Sequence, residues 1–250
     1  MSGDEPGVPA PPFGIVHLDN HLLVVVKPAG LLAQADRTGD PDLVSAAKAY
    51  LKARFARPGD VFVGLVHRLD RPVSGLVVLA RTSKAAARLS AQFRARRPAK
   101  RYLALVEGRL AGEGAREDWL RKAEGRVARV AAGTPGARLA RLRWRALATD
   151  GRRSLVDVDL LTGRAHQVRV QLAALGTPIA GDFRHGARTP FDGRNLALHA
   201  YALAFEHPVA GPDGPRRVAF AAPPPPTWRG AFEDTVRTVI DRAVTESVSP

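Results

Sequence analysis

The sequence predicts an α+β fold: a mixed, mainly antiparallel central sheet with flanking helices and loops. Three features of the chain lead there. Short apolar runs are separated by turn residues at hairpin spacing, a strict two-residue alternation runs over 139–146, and a few longer segments repeat apolar residues at helical spacing. Period two marks a strand because successive side chains point to opposite faces, and spacings of three and four mark one face of a helix.

Taken in order, residues 1–12 are acidic and proline-rich and read as a flexible tail. Ile15–Leu18 and Leu22–Val26 flank Asp19-Asn20-His21 as a hairpin, ended by Pro28-Ala29-Gly30. Asp40 is the expected N-cap of a helix with Pro41 in its first turn, and Leu43, Ala47, Leu51 and Phe55 line its apolar face. Val61–Val66 and Leu76–Ala80 are apolar runs expected as two short buried strands. The turn between them carries Asp70 between Arg68 and Arg71, with Pro72, Ser74 and Gly75 as turn residues. A second helix starts near Ser83 and buries Ala85, Leu89 and Phe93. Leu139–Ala146 places Arg141, Arg143 and Arg145 on one face and Leu142, Trp144 and Ala146 on the other, a half-buried strand with a basic exposed side. Ser154–Leu161 follows as a strand, and a helix from about Ala165 to Leu175 turns Val168, Leu172 and Leu175 inward. After Pro223–Pro226, residues Trp228–Val244 read as an amphipathic helix through Phe232, Val236, Ile240 and Val244. The expected organisation is a tail over 1–12, one domain over 13–226, and a C-terminal helix and short tail over 227–250 packed on that domain.

Composition narrows the function. A chain of 250 residues that is 45% hydrophobic can build a substantial core. There is no cysteine, which excludes disulfide frameworks, iron–sulfur clusters and thiol chemistry. The N-terminal residues do not read as a signal peptide, and no apolar run approaches the roughly 20 residues of a membrane span, so a soluble, cytoplasmic protein is expected. The formal net charge is +14, and 32 of the 38 basic residues are Arg. Codon bias explains Arg over Lys but not the excess over 24 acidic residues, so a polyanion, most plausibly nucleic acid, is the expected partner. Arg88, Arg94, Arg96, Arg97, Lys100 and Arg101 form a single-signed cluster that reads as a nucleic-acid backbone contact.

Taken alone, Asp70 reads as an ion-paired loop carboxylate. The string around it says more. His67-Arg68-Leu69-Asp70, then Ser74-Gly75-Leu76 after a three-residue gap, closely resembles the signature of the RluA family of RNA pseudouridine synthases. Lys100–Gly108, centred on Tyr102, is similar to that family's second motif, and Leu161–Val170 to its third. Gly176–Asp182 and Leu198-His199-Ala200 also fit, so the likeness runs from about Ile15 to about Pro226. Val73 replaces the usual Thr, keeping the β-branch and losing a hydroxyl. Where relatives often have His and Tyr, this chain has Gln171 and His185. The N-terminal S4 domain common in relatives is expected to be absent, and a monomer is expected.

The resemblance implies that 13–226 is a pseudouridine synthase catalytic domain and that uridine in a ribosomal or transfer RNA stem-loop is the substrate. It implies Asp70 as the catalytic nucleophile and Arg169 as its cationic partner. Tyr102 would stack on the uracil, with its hydroxyl also available for a later proton transfer, and Arg68 would fill the space the extruded base leaves. A charge pair near 4 Å is worth about 4 kcal/mol at an effective dielectric of 20. Arg71, Arg164, His166, Gln167, Arg96, Arg97 and Arg101 are the expected RNA contacts, with Arg164, His166 and Gln167 also shaping the loop. Attack on C1′, attack on C6 and removal of a ribose proton all remain open. The reaction needs no cofactor, and the seven histidines show no metal-ligand spacing, so no metal is expected. The rival readings are a non-catalytic RNA-binding or assembly protein on the same fold and a basic DNA-binding protein, although no helix-turn-helix or zinc-finger pattern is visible.

Overall fold

A computed structural model of the chain describes residues 8–193, 195–228, 230 and 232–248. The expected tail over 1–12 falls partly outside these residues; within them, Val8 packs against the core. The described residues form one eleven-stranded mixed sheet with four helices. The strands are β1 (Gly14–Leu18), β2 (Leu22–Lys27), β3 (Gly64–Leu65), β4 (Ser74–Ala80), β5 (Ala99–Glu107), β6 (Glu113–Ala123), β7 (Arg126–Val130), β8 (Arg138–Thr149), β9 (Arg153–Leu160), β10 (Leu198–Glu206) and β11 (Arg217–Ala221). The helices are α1 (Leu43–Arg54), α2 (Ser83–Arg94), α3 (Gln167–Ala173) and α4 (Glu233–Val248). Strand order is β1-β2-β4-β10-β5-β9-β8-β6-β7, with β11 on β10 and β3 on β4. Every pairing between these strands is antiparallel except β10 with β4.

The β2 and β4 runs are continuous in apolar residues because both faces are covered. Leu23, Val25, Val77 and Leu79 join Leu43, Ala47 and Leu51 of α1 in the main core. Leu22, Val24, Leu76 and Val78 join Ala85 and Leu89 of α2 in a second core on the opposite face. Burying each of these Leu and Val side chains is worth about 1.5–3 kcal/mol, so the two faces together fix the register of this half of the sheet. Trp228, Ile240 and Ala243 extend the main core, and α4 packs on β11 and β10. Val244, expected on the apolar face of α4, is exposed.

The centre of the molecule is the junction of β4 with β10. Ser74 and Gly75, expected as turn residues, are the first residues of β4, and they pair in parallel with His199 and Ala200. Gly75 has φ +129°, and a Cβ there would lie 2.4 Å from the Ala200 nitrogen and 2.5 Å from its oxygen, so only glycine permits this approach. The Ser74 hydroxyl meets His199 Nδ1 at 2.8 Å, while His199 Nε2 lies 3.1 Å from the Ala222 carbonyl. Nε2–H therefore donates to the carbonyl, and Nδ1 accepts from Ser74. Burial holds His199 neutral, with its pKa down at about 4.

The same edge of β4 explains why the strand expected over 61–66 is short. β10 takes Ser74 and Gly75, and β3 takes Leu79 and Ala80, which leaves two paired residues in β3 and Phe62 exposed. Between these two partners, the Val78 N–H donates to His67 Nε2 at 3.0 Å, and the His67 ring stacks on Phe93 with centroids 4.4 Å apart. Burial, with Lys100 nearby, drops the His67 pKa to about 3.

Other expectations need correction. The N-cap of α1 is Asp42, which accepts from the Ser45 N–H at 3.1 Å, not Asp40, whose carboxylate binds Arg71 instead. Phe55 ends α1 in a non-helical conformation and stands 41% exposed under the Arg81 guanidinium rather than on the buried face. The hairpin β6–β7 and the strands β10 and β11 had no counterpart in the sequence reading. The charges along β6 hide any alternation, and its turn is visible only as Glu124-Gly125, both at positive φ.

Two outcomes follow. Gly75→Ala should lower stability by about 2–4 kcal/mol, from overpacking and backbone strain, read as a lower urea midpoint with an unchanged slope. His67 and His199 stay neutral in the folded chain but protonate near pH 6.5 once unfolded, so the unfolded state binds more protons below that value. Stability should be full above about pH 6.5 and fall as pH drops toward about 4. Equal urea midpoints across that window would contradict it.

Candidate active site

Asp70 sits in a tight turn between β3 and β4, closed by the Val73 N–H donating to the Asp70 carbonyl at 3.1 Å. Its neighbours are tied down from two sides. The Lys27 ammonium, with no solvent exposure, donates to the carbonyls of Pro28, Leu31 and Arg71 at 2.8, 2.9 and 3.2 Å. Burial lowers the Lys27 pKa to about 7, against the opposing pull of the Asp70 charge. The Gly30 N–H donates to the Arg71 carbonyl at 2.8 Å, and the Leu196 N–H, just ahead of β10, donates to the Pro72 carbonyl at 3.2 Å. The loop is thus held by main-chain contacts, and the Asp70 side chain is left free to face a pocket.

That pocket, of about 70 Å³, is lined by Asp70, Arg68, Tyr102, Leu160, Arg164, His166 and Arg169, among others. Tyr102 arrives by register: Gly75, Ala200, Tyr102 and Val158 form one row across β4, β10, β5 and β9. The buried ring forms one wall, and burial, then the Asp70 charge, raises the pKa of its hydroxyl, which stays a neutral phenol.

Arg169 comes from α3, a helix buried on every side from Gln167 to Leu172. The expected helix over about 165–175 is therefore shorter and has no solvent face in that span. Arg169 donates through Nε and Nη2 to the two oxygens of Asp182, both at 2.8 Å, and through Nη1 to Asp70 Oδ2 at 3.0 Å. Burial opposes its charge, but the two carboxylates outweigh it and raise its pKa. Asp182 is placed by the stretch Pro178–Ala180, which runs beside β5: Glu107 N–H donates to Pro178 at 2.8 Å and Ala180 N–H to Leu105 at 2.9 Å. Gly181 then turns at φ +85°, where a Cβ would lie 2.5 Å from the Asn195 carbonyl oxygen.

The structure brings Asp70, Tyr102, Arg169, Arg68, Arg164, His166 and Gln167 together around the pocket, sets Arg96 near its edge, and turns Arg71, Arg97 and Arg101 to other partners. Arg71 turns away from Asp70, donating to Asp40 at 2.7 Å and to the Gly30 carbonyl at 3.0 Å, so the two guanidiniums beside Asp70 in sequence do not both serve it. Gln167 is buried and uses its amide on the loop: Oε1 accepts from Thr162 and the Arg164 N–H, and Nε2 donates to the Arg141 carbonyl. Arg101 projects to the opposite face of β5 from Tyr102, where it pairs with Asp157 and lies over Tyr201. Arg97 lies 3.8 Å from Glu206. Arg96 is exposed and near enough to Arg164 that, after burial, it lowers the Arg164 pKa, with Arg138 adding to it. Arg96, Arg138 and Arg164 thus give a basic rim beside the pocket. Asp182 and Lys27 were missed by the sequence reading; Asp182 stood inside a stretch matched to the family without a role of its own.

The RNA pseudouridylate synthase family matches residues 21–174, more than half of the chain. The chain belongs to that family. It is 34% identical over 211 residues to "Ribosomal large subunit pseudouridine synthase D" of Zymomonas mobilis, covering 80% of this chain and 67% of that one. It is 33% identical over 222 residues to "Dual-specificity RNA pseudouridine synthase RluA" of Pasteurella multocida, covering 86% of this chain and 94% of the other. Against "Ribosomal large subunit pseudouridine synthase C" of Vibrio cholerae it spans 62% of the relative's length at 35% identity. The solved structure titled "Human RNA Pseudouridylate Synthase Domain Containing 4" superposes with a TM-score of 0.72 at 22% identity, over 90% of this chain and 93% of that one. The fold is that of a pseudouridylate synthase domain.

For this synthase-family site, Asp182→Ala should cost about 3–5 kcal/mol of stability, because it strands a buried guanidinium. Asp70→Asn, at a half-buried group with Asp182 still in place, should cost under about 1 kcal/mol. Urea denaturation of the two variants checks the contrast; equal losses would contradict it.

Proposed function

We propose that the chain is an RNA pseudouridine synthase that isomerises uridines in structured ribosomal or transfer RNA, with Asp70 as its nucleophile. The observation that carries this is the 3.0 Å contact of Asp70 with Arg169, beside the buried wall of Tyr102. Arg169 is held by Asp182 and offers its remaining amino group to the carboxylate that faces the pocket. A carboxylate paired with a guanidinium and aimed at a pocket of this kind suits attack at a sugar or base carbon, or removal of a ribose proton.

The target base must leave its stack to reach Asp70, at a cost of a few kcal/mol. Arg68, exposed at the pocket, would fill the vacated space, and Tyr102 would stack on the uracil for about 1–3 kcal/mol. The rim of Arg96, Arg138 and Arg164 would hold backbone phosphates, and stem-loop shape rather than base sequence would set much of the choice of RNA.

Purified protein incubated with unmodified transfer RNA and large-subunit ribosomal RNA transcripts should form pseudouridine, read by mass spectrometry of the nucleosides. Asp70→Asn should form none while binding the same transcripts with little change in affinity. Product from pure Asp70→Asn protein would refute the assignment.

A further inference from the structure

Asp70, Tyr102 and Arg169 account for breaking and remaking the bond to the sugar, but not for the last proton. When the turned uracil bonds to C1′ through C5, that carbon becomes tetrahedral and still carries its hydrogen. Aromaticity returns only when the C5–H bond breaks: its electron pair forms the C5–C6 double bond, the N1–C6 π pair moves onto N1, and N1 then takes up a proton. The isomerisation consumes no net acid, yet a proton must leave C5 and reach solvent.

We propose, on the reading of Asp70 given above, that His166 takes this C5 proton and that His185 passes it to solvent. His166 precedes α3 at φ 49°, a left-handed conformation that a non-glycine residue adopts at a cost in strain, and its side chain does not cap the helix. The ring lies instead in the pocket, with Nε2 3.8 Å from Asp70 Oδ2 and Nδ1 3.0 Å from His185 Nε2. The two rings are perpendicular, 89° apart. With the shared proton on His166 Nδ1, its Nε2 lone pair faces the space beside Asp70. Proton uptake at Nε2 then drives the Nδ1 proton onto His185, which stands half-buried on a 3-10 turn (Phe183–His185) with Arg184 exposed next to it.

The groups facing this pair are Asp70, Asp182, Arg169 and Arg184; burial first, then the guanidiniums, with His185 adding to the effect on His166, outweigh the two carboxylates and leave both rings neutral at pH 7. A neutral imidazole has the open lone pair a proton acceptor needs. Tyr102, which also lines the pocket, remains a phenol and is a much poorer acceptor. A weak base suffices, because a C5 hydrogen next to the C4 carbonyl of a ring about to become aromatic is acidic.

The test uses transcripts that the wild-type protein modifies, prepared with uridine, 5-deuterouridine or 5-fluorouridine. His166→Gln should slow product formation by about 10²-fold, and His185→Phe by less. Both should introduce a C5 deuterium isotope effect larger than that of wild type. With 5-fluorouridine, where no C5 proton exists to remove, both variants should form the C5–C1′ bonded product at the wild-type rate, which also shows that they fold and bind. Slowing with an unchanged isotope effect, or an isotope effect exposed by Tyr102→Phe instead, overturns the proposal. If wild-type protein itself forms no C5–C1′ bond on any transcript, the Asp70 reading has failed and this step falls with it.

Discussion

One guanidinium divides its hydrogen bonds between two carboxylates, and the rest of the site is arranged around that division. Arg169 gives Nε and Nη2 to Asp182, both inside the protein, and Nη1 to Asp70 at the pocket. A buried charge is tolerated when it is paired with good geometry, and the two-pronged contact with Asp182 meets that requirement without Asp70. The pocket carboxylate is therefore spare in the structural sense: it shares the field of a cation that the fold already holds in place. Planar, forked hydrogen bonding is what allows one side chain to do both, and lysine has no equivalent.

Around this pair the fold works mainly through its backbone. The Asp70 turn is fastened by Lys27 and the Gly30 N–H on one side and by Leu196 on the other, while Ser74-Gly75 are pressed onto His199-Ala200. Gly75 allows the close approach, and the Ser74–His199 bond gives the short parallel contact a side-chain latch. The row Gly75, Ala200, Tyr102 then sets the aromatic wall at a fixed offset from the carboxylate. Local anchoring of this sort gives a site on a loop the precision of a site on a strand.

Legibility followed range. The β1–β2 hairpin, the helices α1 and α2 and the alternating β8 show as patterns within a short stretch, and the sequence carried them to within a few residues, apart from the cap of α1 and the placement of Phe55. β10 pairs with β4 and β5, which are distant in the chain, and nothing in its own composition names those partners; β11 in turn pairs with β10. Within the site, Asp70, Tyr102 and Arg169 came from a motif resemblance; physical pattern alone would have left Asp70 as a loop carboxylate. Asp182 and Lys27 stayed silent because a buried charge looks like a surface charge until its partners are known. Arg71 misled for the opposite reason, since its nearness to Asp70 in sequence does not survive its bond to Asp40.

The central claim is that a guanidinium fixed by Asp182 prepares the pocket carboxylate for chemistry, and Arg169→Lys tests it most directly. A lysine at 169 supplies the charge but cannot bind both Asp182 oxygens and Asp70 together. Turnover of a modified transcript under single-turnover conditions should collapse to the level of protein lacking the Asp70 carboxylate, with RNA affinity little changed. Near-wild-type turnover in Arg169→Lys would show that charge alone is enough, and that the shared fork is not what prepares the site.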